Sequence, residues 1–249
     1  MINKILSVEN LSKSYHNKKD EIKALEDVNF DVYDKEFISI IGPSGCGKST
    51  ILSILSNLEE KSNGNIKFNK PLTIGYMLQD DSLFFWRTIL ENCLIGLEIN
   101  GKIDNNNKKY VINLLKKYGL EEFINKYPSS LSGGMRQRVA LIRTLAIKPD
   151  ILLLDEPMSA LDYQSRLAIS DDIYKIIKDE NKTAIMVTHD IAEAISMSDR
   201  IIVLSKRPAT VKTIYDISLS NKSTPINNRK APEFSKYYDL IWRDLDVHI

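Results

Sequence analysis

Nine residues, Gly42-Pro43-Ser44-Gly45-Cys46-Gly47-Lys48-Ser49-Thr50, lie between the apolar run Phe37-Ile38-Ser39-Ile40-Ile41 and a helix-like stretch from Ile51 to Leu58. Gly42, Gly47, Lys48 and Ser49 satisfy the spacing G-x-x-x-x-G-K-[ST], in which bare backbone N–H groups converge on an anion at a helix N-terminus. Glycine is needed because a side chain would hold a polyphosphate away from the backbone, and because positive φ is cheap only without a Cβ. Lys48 is then placed to reach the β- and γ-phosphates of a nucleotide. Ser49 offers a hydroxyl to Mg²⁺, a hard cation that takes oxygen ligands in octahedral geometry. The pattern arises by chance in about one chain in a hundred of this length, and its strand and helix flanks make it rarer still.

The acids that such a site needs stand at Asp155-Glu156-Pro157, after the continuous apolar run Ile151-Leu152-Leu153-Leu154. A run of that kind suits a strand buried on both faces, and proline prevents its continuing as a helix. Beside a nucleotide, Asp155 has a partner in Mg²⁺, and Glu156 is placed to orient or deprotonate a water. Two further strand ends carry polar groups. Gln79 follows Ile74–Leu78, and Thr188-His189-Asp190 follows Thr183–Val187, positions at which a parallel sheet directs side chains into its ligand crevice. Ser132-Gly133-Gly134 opens the apolar helical pattern Val139, Leu141, Ile142, Leu145, and reads either as a second anion site or as a capped helix start. Tyr15 ends an early strand, where its ring either packs or stacks on a purine. Thiol reagents are expected to reach Cys46 inside the loop and nucleotide to protect it.

The elements around these residues are those of an α/β chain. Residues 4–9 and 28–33 alternate apolar and polar, as antiparallel strands with one wet face do, with a charged turn at 16–20 between them. Residues 61–65 read as a turn, 66–68 as a short strand and 201–204 as a further strand. Residues 83–99 are apolar and include Phe84-Phe85-Trp86, either core or a docking surface. A polar loop is expected over 100–109, then a helix carrying Val111, Leu114, Leu115 and Tyr118. Ser159-Ala160-Leu161-Asp162 leads a helix-like stretch to Glu180, and an amphipathic stretch runs from Phe234 to Leu245.

The 249 residues, 43% apolar, suffice for a sizeable core. Lys and Arg total 34 against 33 Asp and Glu, which leaves no electrostatic footprint for nucleic acid. Two cysteines, Cys46 and Cys93, make no disulfide framework and fit a reducing compartment. No apolar run reaches the length of a membrane span, so a place in the cytosol or on a membrane's inner face is expected.

With Leu131-Ser132-Gly133-Gly134-Met135-Arg136-Gln137-Arg138 between the phosphate loop and the acids, nearly the whole chain resembles the ATP-binding cassette (ABC) transporter ATPases. L-S-G-G-x-x-Q-R should arise by chance in about one chain in ten thousand or fewer. The resemblance implies an α/β fold: a P-loop NTPase core with a mainly parallel sheet, an antiparallel β subdomain and a helical subdomain. It implies one ABC ATPase domain over 1–249, with a helical insert at about 80–145 and a short C-terminal extension at 206–249. Tyr15 becomes the adenine-stacking ring, and Gly42, Pro43, Ser44, Gly45, Cys46, Gly47, Lys48, Ser49 and Thr50 the phosphate loop. Ser49, Gln79 and Asp155 become the Mg²⁺ side, Glu156 the catalytic carboxylate and His189 the γ-phosphate sensor. Ser132, Gly133 and Gly134, with Asp162 in a dimer-facing loop, would act on the nucleotide of a second copy.

That family membership implies ATP and Mg²⁺ as cofactors and a homodimer closed across two ATP molecules. It also implies membrane permease subunits, an extracytoplasmic substrate-binding protein, and a peripheral position on the cytoplasmic face of the membrane. The stretch Gln79 to Asn92 is similar to importers of nitrate, sulfonate and taurine, which usually carry Leu-Pro-Trp-Arg-Thr where this chain has Phe84-Phe85-Trp86-Arg87-Thr88. Two other readings compete. A soluble cassette ATPase of DNA repair or translation would usually bring tandem cassettes or a coiled-coil insert, for which about eighty residues between Lys48 and Leu131 are too few beside the helical insert. A binding-only switch sits poorly with the presence of both Glu156 and His189.

Overall fold

A computed structural model describes residues 3–16 and 20–245. Most of the turn expected at 16–20 falls on residues outside these. Two 13-residue strands, β1 (Lys4–His16) and β2 (Glu21–Tyr33), pair antiparallel, and β4 (Asn63–Phe68) adds to the other edge of β1 in a three-stranded sheet. Much of the turn expected at 61–65 is therefore strand. Gly64, at φ +91, makes that pairing possible, because a Cβ there would meet the carbonyl of Asn10 at 2.3 Å.

The second sheet has six strands in the order β5-β6-β7-β3-β8-β9, formed by Ile74–Met77, Ile151–Asp155, Thr183–Val187, Phe37–Ile41, Arg200–Leu204 and Val211–Asp216. The first five run parallel and β9 returns antiparallel on β8. Every residue of β3, β6 and β7 is buried, as their unbroken apolar runs require. The period-two alternation of a strand then sorts them between two cores. Phe37, Leu152, Leu154, Ala184 and Met186 meet the helical side, whereas Ile38, Ile40, Leu153, Ile185 and Val187 meet the antiparallel sheet and α1 (Lys48–Leu55).

The helical side comprises α2 (Ile89–Ile99), α3 (Asn105–Lys117), α4 (Gly133–Ala146) and α5 (Tyr163–Asp179). The polar loop expected over 100–109 ends early because the Asp104 carboxylate accepts from Asn107 N at 2.7 Å and starts α3 within the asparagine run. A third core joins Ile41, Ile201 and Val203 to α6 (Ile191–Met197) and α8 (Phe234–Asp244), with α7 (Pro225–Asn228) between them in sequence. Phosphate loop, Gln79, Glu156 and His189 thus follow the C-terminal ends of β3, β5, β6 and β7, four parallel strands of one sheet.

Candidate functional site

Of the two glycines that the spacing singles out, Gly47 takes a positive φ of +126°, whereas Gly42 does not and is instead a close-packing position whose Cβ would stand 2.9 Å from Cys46 Sγ; Gly45, outside the spacing, has φ +70°. A Cβ on Gly47 would also stand 2.8 Å from Leu25 Cδ2 and 3.2 Å from the Ala24 carbonyl, so the loop is pressed against β2. Gly47 is the N-cap of α1 and supplies no side-chain acceptor, which leaves the first-turn N–H groups of that helix without an intrachain cap. Lys48 is only 6% exposed. Its ammonium donates to the carbonyls of Gly42 (2.9 Å) and Pro43 (3.1 Å), two of three available donors. Cys46 departs from expectation. Its thiol is 1% exposed and burial pushes its pKa up, so this residue offers backbone to the loop while its sulfur packs in the core beside Gly42.

Asp155, 8% exposed, is the buried acid of the site. One carboxylate oxygen accepts from Ser49 Oγ at 2.9 Å and the other from Tyr76 Oη at 3.0 Å. Burial, reinforced by the neighbouring Asp155 charge, pushes the Tyr76 phenol up to about 12 and keeps it a donor. Sequence reasoning missed Tyr76. The signal was its place two residues in register before Asp155, legible only once β5 is known to pair with β6.

Glu156 has φ 43°, a left-handed conformation that costs a non-glycine residue on the order of 1 kcal/mol or more. The turn is held by its own N–H on the Val187 carbonyl at 2.9 Å and by Ser159 N on its carbonyl at 3.1 Å. It brings Oε2 to 3.0 Å from Nδ1 of His189, pairing a base with an imidazole from the adjacent strand end. Gln79 donates from Nε2 to Ser159 Oγ at 3.2 Å, which leaves its amide oxygen for other partners. One cavity of about 590 Å³ is lined by Ser44, Gly45, Gly47, Lys48, Ser49, Thr50, Gln79, Glu156, His189 and Arg207. Tyr15 stands outside that lining. It lies opposite Ile22, two residues along β2 from the Ala24-Leu25 contact with Gly47, and the Lys13 ammonium sits 4.8 Å from its ring centre.

Ser132, Gly133, Gly134 and Asp162 line a different cavity of about 350 Å³ that shares no residue with the first. Ser132 is the N-cap of α4, its Oγ accepting from Met135 N at 3.3 Å. A Cβ on Gly133 or Gly134 would meet Leu161 at 3.0 Å or Ile169 at 2.7 Å, so these glycines are needed for close packing of α4 and not for their φ. Asp162 caps α5 through Gln164 N (3.1 Å) and Ser165 N (3.0 Å), and the Ser165 hydrogen bonds hold its carboxyl below the usual range.

The donor set of the larger cavity fits a nucleotide and Mg²⁺. Uncapped N–H groups and an ammonium with a donor to spare suit an anion. The Ser49 hydroxyl and the Asp155 carboxylate meet each other with oxygen, and a single carboxylate suits an ion that keeps waters and shares phosphate oxygens. Beyond Gln79, Phe85 and Trp86 are 74% and 60% exposed and pack edge to face at 4.7 Å, which excludes core as their role. Their segment is tied to α4: Arg136 Nε donates to the Asp81 carboxylate (2.9 Å), and Arg143 donates to the carbonyls of Asp81 (2.6 Å) and Ser82 (2.8 Å).

A family model described as ABC transporter matches residues 25–159, more than half of the chain. The ABC transporter ATP-binding protein YtlC of Bacillus subtilis is 43% identical, with 97% of this chain and 95% of that protein covered. The taurine import ATP-binding protein TauB of Roseobacter denitrificans is 35% identical, with 98% and 96% covered. Among solved structures, a dimeric, post-hydrolysis ATP-binding cassette, MJ0796 with ADP and phosphate bound, superposes with a TM-score of 0.73 at 33% identity. The alignment spans 86% of this chain and 99% of that one. Phosphate loop, buried acid and paired Glu156–His189 on a parallel sheet, together with these likenesses, place the chain among the ATP-binding subunits of the ABC transporter family, which are ATPases.

Proposed function

We propose that the chain hydrolyses ATP as one half of a closed pair and thereby drives import of a small solute, such as nitrate, a sulfonate, taurine or a related organic ion, through separate membrane subunits. The observation that carries this reading is the division of the site between two cavities with no residue in common. Either surface alone leaves a nucleotide half enclosed; two copies related by a twofold axis present each phosphate loop to the other's Ser132-Gly133-Gly134. Two ATP molecules then fill the interface, and Asp162 lies at its edge.

In that pair the phosphate loop N–H groups and Lys48 bind the β- and γ-phosphates, and Tyr15 stacks on adenine. Ser49, Asp155 and Gln79 would hold Mg²⁺, which would supply charge neutralisation on the phosphate oxygens. Glu156 accepts a proton from the attacking water while the water oxygen bonds to the γ-phosphorus. The bond from that phosphorus to the β–γ bridging oxygen breaks, and ADP and inorganic phosphate leave. His189, bonded to Glu156 at 3.0 Å, fixes the carboxylate and reads the γ-phosphate. Loss of that phosphate removes the contacts to the partner's Ser132 and Gly134, and the pair reopens.

Phe85 and Trp86 anchor the membrane subunit at the edge of the 80–145 helical insert, and the protein sits on the cytoplasmic face of the membrane. No helix among the described residues is long and apolar enough to cross a membrane, and in this reading the pathway belongs to permease chains. An extracytoplasmic binding protein delivers the solute. Taurine, sulfonate or nitrate fits the likeness to import proteins, and the exposed Phe85, where those importers usually carry proline, leaves the choice among them to experiment. The test is to isolate the intact complex and measure its ATPase with each of these solutes in turn. Stimulation by one of them supports the reading; an ATPase that ignores all of them and resides in a complex without membrane chains contradicts it.

A further inference from the structure

Arg207 belongs to none of the motifs above, yet it lines the larger cavity. It lies on the 205–210 connection between β8 and β9 and is exposed, and its guanidinium donates to the Gly45 carbonyl, the crest of the phosphate loop, at 2.6 Å. That carbonyl is the one hydrogen-bond partner of the guanidinium among the described residues, and no carboxylate there comes within ion-pairing distance. A guanidinium carries five N–H donors, so most of its donors have no protein acceptor among the described residues and its charge is unpaired at the cavity wall. The other cation of the cavity, Lys48, is buried beneath the loop; Arg207 stands on the exposed side.

The residue is mounted on a fixed frame. Thr210 N and Ser205 Oγ close the connection at 2.9 Å. Ala209, fully buried, donates to the Ala24 carbonyl at 2.9 Å and accepts from Glu26 N at 2.9 Å. Leu25, between those two residues, is the side chain against which Gly47 packs. The 205–210 connection and β2 therefore grip the phosphate loop from two sides, at Gly45 and at Gly47, and long-side-chain entropy is the main cost left for Arg207 to contact a ligand.

We propose that Arg207 is a second phosphate-binding cation of the nucleotide site, closing on the phosphate chain from the solvent side opposite Lys48. The inference rests on the nucleotide reading above. Because the guanidinium is solvent-exposed, its contribution is moderate and screened by salt.

The probe is equilibrium binding of MgADP to the full chain, which avoids turnover, at low and high salt. Arg207→Ala is expected to weaken binding about three- to tenfold at low salt, with a smaller loss at high salt, and Arg207→Glu to weaken it further. Arg207→Lys keeps the charge without the fork and should retain most of the affinity. Thermal midpoints of the nucleotide-free variants should match that of the parent chain. An Arg207→Glu protein that binds MgADP as the parent does, while Lys48→Ala has lost binding, overturns the proposal. Equal, salt-independent losses in Arg207→Ala and Arg207→Glu overturn it too, since they mean that the side chain only shapes the loop. A parent chain that binds no MgADP at all instead refutes the nucleotide reading itself.

Discussion

Two helices of this chain begin with glycine, and they begin in opposite ways. The helix α1 starts from Gly47, which has positive φ and no side-chain acceptor, so its first N–H groups are unspent. The helix α4 starts from Ser132, whose hydroxyl already accepts from Met135 N, and its glycines are there to let Leu161 and Ile169 pack close. The first start is the one we read as an anion site. The other is a finished cap whose exposed serine becomes useful only when something is brought to it. Composition does not separate the two, since both are short glycine-bearing segments before an apolar helix; φ and capping do.

The sharpest way to break this contrast is to remove the charge beneath the first helix. Lys48→Ala should weaken ATP binding to the isolated chain by roughly a hundredfold or more, because on the proposed reading it removes the one buried cation that would meet the phosphates. Equilibrium titration measures it, and unchanged affinity would mean that α1 alone holds the anion. Ser132→Arg should act in the other half only. It is expected to lower turnover by about two orders of magnitude, through bulk and charge against a partner's nucleotide, while ATP affinity of the isolated chain stays within about twofold. A matching loss of affinity would place Ser132 on its own chain's nucleotide and collapse the two surfaces into one.

Smaller effects sharpen the comparison. Tyr76→Phe leaves one oxygen of buried Asp155 without its 3.0 Å donor, and urea unfolding should report a loss of about 1–2 kcal/mol. Stability equal to the parent would show that Asp155 is partnered some other way. Cys46 should show the least. Its sulfur is buried and its pKa raised, so the reactive thiolate is scarcer than in a free cysteine across the neutral range, and alkylation of the folded chain should be negligible with or without ATP. Rapid labelling that nucleotide suppresses would restore the expectation read from its place in the loop.

Much of the site was legible because its chemistry is written in contiguous residues. Gly42 to Thr50, Asp155-Glu156 and His189 each follow an apolar strand, and parallel pairing brings strand ends to one edge. What the sequence did not disclose depends on which strands are neighbours. Tyr76 meets Asp155 because β5 lies beside β6, and Arg207 meets Gly45 because β8 lies beside β3, across sequence separations of 79 and 162 residues. Side-chain direction was equally hidden. Spacing placed Cys46 in the loop but could not say that its sulfur turns inward, nor that Phe85 and Trp86 turn out.

The central claim is that the two surfaces meet across ATP, and molecular mass in solution tests it most directly. Glu156→Gln keeps size and hydrogen bonding but cannot take a proton from water, so this variant should bind ATP without cleaving it. Light scattering is expected to give twice the 28.4 kDa chain mass with MgATP, and a single chain mass with MgADP or without nucleotide. Adding Ser132→Arg should return the MgATP sample to a monomer. A Glu156→Gln protein that binds MgATP and remains monomeric at high concentration would contradict the account.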